Sequence, residues 1–134
     1  MSKHLHLLAL LILILPVSYV VLWTTAYQEL DIDDHEFAIE GFMGEEFEFS
    51  EIDTILLVNE LPKIYSSAGI SLKGYEKGFF TRFSDQRKVK IIAHHKDLYL
   101  KIICKNGEVV YYNADTKQHT KETFQKLTQL IFKS

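Results

Sequence analysis

The sequence predicts a mainly β domain with one C-terminal amphipathic helix, preceded by one transmembrane helix. Three observations carry this. From Glu36 to Tyr112, short runs of alternating apolar residues are separated by turn residues. From Asp115 onward, apolar residues recur at helical spacing. Near the N-terminus lies one long apolar run without Asp, Glu, Lys or Arg.

The apolar run, Leu5 to Trp23, reads LHLLALLILILPVSYVVLW. As a helix it extends about 28 Å, close to the hydrocarbon thickness of a bilayer. Pro16 is tolerable in such a helix, and Tyr19, Trp23 and Tyr27 sit where an interfacial aromatic belt belongs. The competing reading is a signal peptide cleaved near Thr24-Thr25-Ala26. The run is longer than the usual signal core of about 7–15 residues, which favours an uncleaved anchor over residues 1–26. Lys3 precedes the run and no Lys or Arg follows until Lys63. The positive-inside rule then puts the N-terminus in the cytoplasm and the domain outside. A cleaved signal peptide would also place the domain outside, as a secreted protein.

Charge is unevenly spread along the 134 residues. Twelve Asp and Glu lie between Glu29 and Glu60, and fourteen Lys and Arg follow from Lys63 onward. The two halves either neutralise each other across neighbouring strands or present a charged face to a partner. Sixteen Phe and Tyr against two Pro and six Gly mark a folded chain. With the anchor set aside, the remainder is long enough to bury one core without metal or disulfide staples. The single cysteine, Cys104, has no partner for an intramolecular disulfide.

Residues 27–35 (YQELDIDDH) are acidic and aperiodic and read as a linker, with the domain following over 36–134. Glu36–Gly41 and Glu45–Ser50 alternate around a Met43-Gly44 turn, a hairpin pattern. Ile52–Leu61 is a third strand ended by Pro62, although Ser50–Asp53 could instead cap a short helix. Lys63–Lys77, with its Ser and Gly residues, reads as the longest irregular stretch. Four more strands follow: Gly78–Phe83, Lys88–Ala93, Leu98–Lys105 and Glu108–Tyr112. Asn106-Gly107 joins the last two, both residues accepting positive φ. Asp115 can cap the final helix with Gln118 completing a capping box. Phe124, Leu127 and Ile131 form its apolar face, opposite Lys117, Lys121, Glu122 and Lys126.

In this order, Ile39 to Leu130 resembles the bacterial pleckstrin-homology-like domains of small membrane proteins. The resemblance rests on Ile39-Glu40-Gly41, on FEFSEID (Phe47–Asp53) and on Leu61-Pro62. It rests also on KGFF (Lys77–Phe80), VYYN (Val110–Asn113), and Asp115, Thr120, Phe124 and Leu127 of the last helix. It implies a seven-stranded, partly open barrel of two nearly orthogonal antiparallel sheets capped by the helix. It implies no catalytic residues and no cofactor. Eukaryotic lipid-binding versions cradle inositol phosphates with basic residues around the first hairpin; here Glu45 and Glu46 stand there and would repel phosphate, so phosphoinositide binding is not expected.

Other constellations point to structure rather than chemistry. Asp31, Asp33, Asp34, His35 and Glu36 lack the glycine and distal glutamate of a calcium loop and read as a solvated acidic run. His94, His95 and Asp97 have no zinc-site spacing and read as an exposed polar turn. Cys104 is in phase with Leu100 and Ile102 and reads as a buried thiol. Phe80, Tyr99, Tyr111 and Tyr112 interleave with Arg82, Lys90 and Lys101, yet a membrane anchor argues against a nucleic-acid partner. No nucleophile elbow, phosphate-binding Gly-rich loop or metal-binding His pair on a helix is present.

The function expected is a membrane-anchored, non-enzymatic interaction module that binds protein or peptide at an exposed strand edge or in the Lys63–Lys77 loop. The alternative is an extracytoplasmic domain holding a small ligand at the barrel mouth. Tyr65, Ser67, Lys73 and Tyr75 are the candidate binding residues.

Overall fold

The computed structural model describes residues 2–72 and 75–132, leaving aside the side chains of Ser2, Thr25, Ser66, Ser67 and Leu72. The chain is mainly β, with an apolar helix first, two sheets, and a helix last. Helix α1 spans Ser2–Thr25 with Pro16 inside it. Its stretch Lys3–Thr24 is long and apolar enough to cross a membrane and is not buried against the domain.

Strands β1 (Leu30–Ile32), β2 (Glu36–Ile39) and β3 (Glu45–Glu48) form a small antiparallel sheet in that order. Alternation makes it amphipathic: Phe37 stands opposite Phe47 and stacks on it, ring centroids 4.9 Å apart, while Glu36 and Glu48 face outward. The segment expected as an irregular acidic linker therefore holds a strand. Leu30 and Ile32 alternate with Asp31 and tuck against the core, a period too short to stand out between charges.

A single 3₁₀ turn, Phe49–Glu51, leads into β4 (Ile52–Val58), which ends before the expected Leu61. The stretch expected to be irregular after it is the long hairpin of β5 (Ile64–Leu72) and β6 (Tyr75–Arg82). Ser66, Ser67, Gly69 and Ser71 sit within β5, and Gly74 lies outside the described residues. Gly69 and Gly78 face each other so closely that a Cβ on Gly78 would lie 2.4 Å from the Gly69 Cα, and Gly78 has φ +134°. Turn residues here mark close backbone approach rather than a loop.

Strands β7 (Lys88–Ala93), β8 (Tyr99–Cys104) and β9 (Val109–Tyr112) complete a six-stranded sheet of order β4-β8-β9-β7-β6-β5. Strand β9 lies between β7 and β8 and pairs parallel with β7. The described strands number nine rather than seven, and the large sheet is mixed rather than wholly antiparallel. Residues 94–98 must cross over the end of β9, which a sequence of alternating runs does not reveal.

The large sheet is strongly coiled. Along one rung stand Leu57, Leu100, Tyr112, Ile92, Lys77 and Ile70. In a flat sheet the end of β4 and the start of β5 would be about 30 Å apart, counting strand spacing and rise. The short connection from Val58 to Ile64 reaches only about 20 Å. Curvature and shear make up the difference, yet no ladder joins β4 to β5 among the described residues, so the sheet does not close.

Coiling explains why β7 and β9 are buried on both faces. On one face Phe37, Ile39, Phe47, Ile55, Ile92, Leu100, Ile102 and Tyr112 form the main core with the small sheet and α2 (Lys117–Ile131). On the other, Phe80, Val89, Ile91, Tyr99 and Tyr111 cluster with Val58, Leu61 and Ile64. These come from the same sheet and the β4–β5 connection, so the sheet covers that face by its own curvature.

Helix α2 packs on β4 and β8 through Leu127, which is fully buried, with Phe124 and Ile131 partly so. Thr120 and Thr123 are buried in the same face. The N-cap is Thr116, one residue beyond the expected Asp115: its hydroxyl accepts from the His119 N–H at 3.1 Å. Asp115 instead accepts from His119 Nδ1 at 2.7 Å. Gln118 reaches Glu122 rather than back to the cap.

Candidate functional site

Of the four residues expected to line one binding site, Tyr65 and Tyr75 are not brought together. Tyr65 lies near the start of β5 and Tyr75 at the start of β6, opposite ends of the hairpin. The Tyr65 hydroxyl donates to Gln86 Oε1 at 2.8 Å, and its ring meets Phe83 edge-on at 4.9 Å. Tyr75 stands near His94, ring centroids 6.5 Å apart. Ser67 belongs to the β5 backbone, its side chain outside what the structure describes, and Lys73 lies outside the described residues altogether.

The polar site that the structure does assemble is where α1 meets the domain. Five hydrogen bonds fasten Ala26 and Gln28. Lys77 Nζ donates to the Ala26 carbonyl at 2.7 Å, and the Gln28 N–H donates to His94 Nε2 at 3.1 Å. The Tyr112 hydroxyl donates to the Gln28 carbonyl at 2.7 Å. Gln28 Nε2 donates to the carbonyls of Glu40 and Phe42 at 2.8 and 2.5 Å. Tyr27 lies between these bonds with its ring 5.1 Å from His94 and 6.2 Å from His119. Gly41 at φ +86° allows the approach, since a Cβ there would stand 3.2 Å from the Gln28 side chain.

His94 is thus a structural hub rather than an exposed turn residue. Because Nε2 accepts from Gln28, that nitrogen carries no proton, and Nδ1 donates to the Asn113 carbonyl at 3.0 Å. Burial holds its pKa below the usual 6.5, assisted by nearby Lys77 and His95 and opposed by its backbone hydrogen bonds. Lys77 is 1% exposed, and burial lowers its pKa to about 8. Tyr112 is held neutral by burial. Sequence reasoning missed this cluster because its members come from five separated segments.

Two further features bound the chemistry. A cleft of about 230 Å³ opens between β1 and α2, lined by Tyr27, Glu29, Tyr112, His119, Glu122 and Lys126 among others. It is smaller than the roughly 300–1,000 Å³ of ordinary small-molecule sites, whereas a depression of about 520 Å³ lined by Asp34, His35, Glu36, Glu48, Phe49 and Ser50 falls within that range. Cys104 is buried, and desolvation raises its thiol to about 11, so it is a core residue and a poor nucleophile at neutral pH. Among the described residues no group of three or more His, Cys, Asp or Glu is placed to hold a metal ion.

Charge segregation persists in the fold. Glu36 stands directly opposite Glu48 on the outer face of the small sheet, and Asp31 shares that face with Glu46. Among the described residues one ion pair, Lys90 to Glu45 at 3.4 Å, joins the acidic first half to the basic second half. Glu108 is raised by burial and by its neighbour Glu45, so the carboxylates beside Lys90 outnumber it.

Of the four sheet edges among the described residues, three are blunted. Strands β1 and β3 are short and acidic, and β4 is flanked by α2. Strand β5 is nine residues long, IYSSAGISL, without charge or proline, and none of its described side chains is buried. Compared with known proteins, the chain matches no family model, no curated protein and no solved structure.

Proposed function

We propose that this chain is a membrane-anchored, non-enzymatic interaction module that accepts an extended protein or peptide segment along β5. The observation that carries this reading is the long, uncharged, unpaired edge of β5, where natural sheets ordinarily place charge, proline or a cover. The bulge between Ser66 and Ala68 interrupts that edge once, leaving Ala68–Leu72 as the continuous template. Main-chain pairing would supply affinity, and exposed Tyr65 and Phe83 beside the strand would supply selectivity.

In this reading α1 spans the membrane, with the N-terminus cytoplasmic and the domain extracytoplasmic, as the lone Lys3 and the long stretch without positive charge suggest. The domain is read as a variant of the pleckstrin-homology-like architecture. A coiled open sheet with a C-terminal helix on it supports this, and the parallel β7–β9 pair is its departure. Phosphoinositide recognition is not part of the proposal, because Glu45 and Glu46 flank the first hairpin turn.

The test is affinity capture of the tagged full-length protein from its own membranes, beside Ala68→Lys on the β5 edge and Lys126→Ala on α2. A partner retained by wild type and Lys126→Ala but lost with Ala68→Lys supports pairing at β5. Equal retention by all three refutes it.

A further inference from the structure

The hydrogen bonds at Ala26 and Gln28 have a consequence for where the domain sits, provided α1 spans a bilayer as proposed above. A domain on a flexible tether would tumble above the membrane. Here the residues immediately after α1 are bonded to β6, β9, the crossover that follows β7 and the β2–β3 turn, so domain and anchor move together. The β2–β3 turn is brought against the helix itself. Phe42 meets Trp23 edge-on with ring centroids 5.4 Å apart, and Trp23 lies inside the apolar stretch Lys3–Thr24. Whatever depth Trp23 takes, Phe42 shares it to within one side chain.

We infer that the turn Gly41-Phe42-Met43-Gly44 is a second membrane contact, with Phe42 and Met43 resting in the headgroup–acyl boundary of the bilayer that α1 spans. Phe and other apolar side chains on an interfacial segment insert at that boundary, where burying apolar surface is favourable. Phe42 and Met43 are only half-buried by protein. The turn is tightly formed: the Gly44 N–H donates to the Gly41 carbonyl at 3.0 Å, and Met43 takes φ 61°. A Cβ on Gly44 would stand 2.2 Å from the Ile39 carbonyl oxygen, which fixes the residue as glycine. The occupant is the apolar boundary rather than an anionic headgroup, since Glu40, Glu45 and Glu46 surround the turn and no Lys or Arg lies within it.

The test uses the full chain in phosphatidylcholine vesicles, with nitroxide-bearing lipid as the quencher. Trp23 is the single tryptophan, so wild type reports the anchor alone. The double variant Trp23→Phe with Phe42→Trp reports the turn, and Trp23→Phe with Met43→Trp repeats the reading should the first not fold. The inference expects the turn tryptophan to be quenched by shallow nitroxide to within about twofold of Trp23, with deep nitroxide less effective, as for interfacial aromatics. Neutral vesicles should serve as well as anionic ones. Quenching of Trp23 without quenching of either turn tryptophan, with both open to aqueous iodide, would overturn the inference and leave the anchor standing. Failure to quench Trp23 itself would overturn the anchor and this inference with it.

Discussion

Asn113 and His94 hold each other in two directions. The Asn113 Oδ1 accepts the His94 backbone N–H at 2.6 Å, while the Asn113 carbonyl accepts the imidazole Nδ1 at 3.0 Å. The same amide donates through Nδ2 to the carbonyls of His95 and Leu98 at 2.8 and 3.2 Å. One fully buried side chain therefore satisfies the crossover by which the chain passes over the end of β9. Asn113→Ala would leave three backbone groups without their partner, the Leu98 carbonyl buried and those at His94 and His95 partly so. The loss should be about 3 kcal/mol or more. Thermal melts of the full chain in detergent check it, and an unchanged midpoint would mean that water replaces the amide.

That crossover also marks where the sequence stops being legible. Alternating runs around Phe37, Phe47, Ile91 and Ile102 announce strands, and Asn106-Gly107 announces the β8–β9 hairpin, because these signals are local. The helix was legible through Phe124, Leu127 and Ile131. Thr120 was picked out only through the resemblance, and its role was not legible, because that hydroxyl accepts from the Ala114 N–H, a contact set by tertiary packing. The order β4-β8-β9-β7-β6-β5 depends on pairings between distant segments that no local pattern encodes. The β5 strand was hidden because Ser66, Ser67 and Gly69 are turn formers in isolation and become strand residues only beside β6. The junction cluster failed to show for the same reason: Gln28, Lys77, His94 and Tyr112 are unremarkable until the fold gathers them.

The junction should loosen in acid. Burial lowers the folded pKa of His94, so between the unfolded value near 6.5 and the lower folded value the unfolded chain binds the extra proton. Stability from this group is therefore complete above pH 6.5 and declines as pH falls below it. Protonation also puts a hydrogen on Nε2, facing the Gln28 N–H. Lys77, His95, Tyr27, Tyr75 and Tyr112 surround the ring and offer it no carboxylate. Melts of wild type and His94→Gln from pH 7.5 to 5 should converge as pH falls. Parallel curves would show that His94 stays solvated.

The two faces of α2 should respond very differently to truncation. Leu127 is fully buried in the main core, and Leu127→Ala should cost about 2–5 kcal/mol through lost burial and the cavity left. Phe124 is only partly buried, so Phe124→Ala should cost less than Leu127→Ala despite removing a larger side chain. Lys121 is exposed on the other face, and Lys121→Ala should stay within about 0.5 kcal/mol. Denaturant midpoints for the three variants give the ranking. Equal midpoints would make the helix a loose tail.

Lys77 carries an ammonium into the fold with one carbonyl, that of Ala26, as its hydrogen-bond partner among the described residues. Burial lowers its pKa from 10.5 to about 8. Between those values the unfolded chain is protonated and the folded one is not, so stability from this group rises with pH from about 8 to 10.5. Below 8 both states hold the proton, and the full desolvation cost remains. Lys77→Met keeps the length and removes the charge. It also frees the Ala26 carbonyl, but Ala26 is exposed and water can take the place of Nζ. The methionine variant should therefore be more stable than wild type at pH 7, and the gap should close between pH 8 and 10. Differencing the two proteins cancels tyrosine titration in the same range. A gap that stays constant over pH 7–10 would show that the Lys77 ammonium is not desolvated, and a variant less stable at pH 7 would show that its bond to Ala26 outweighs the cost of burial.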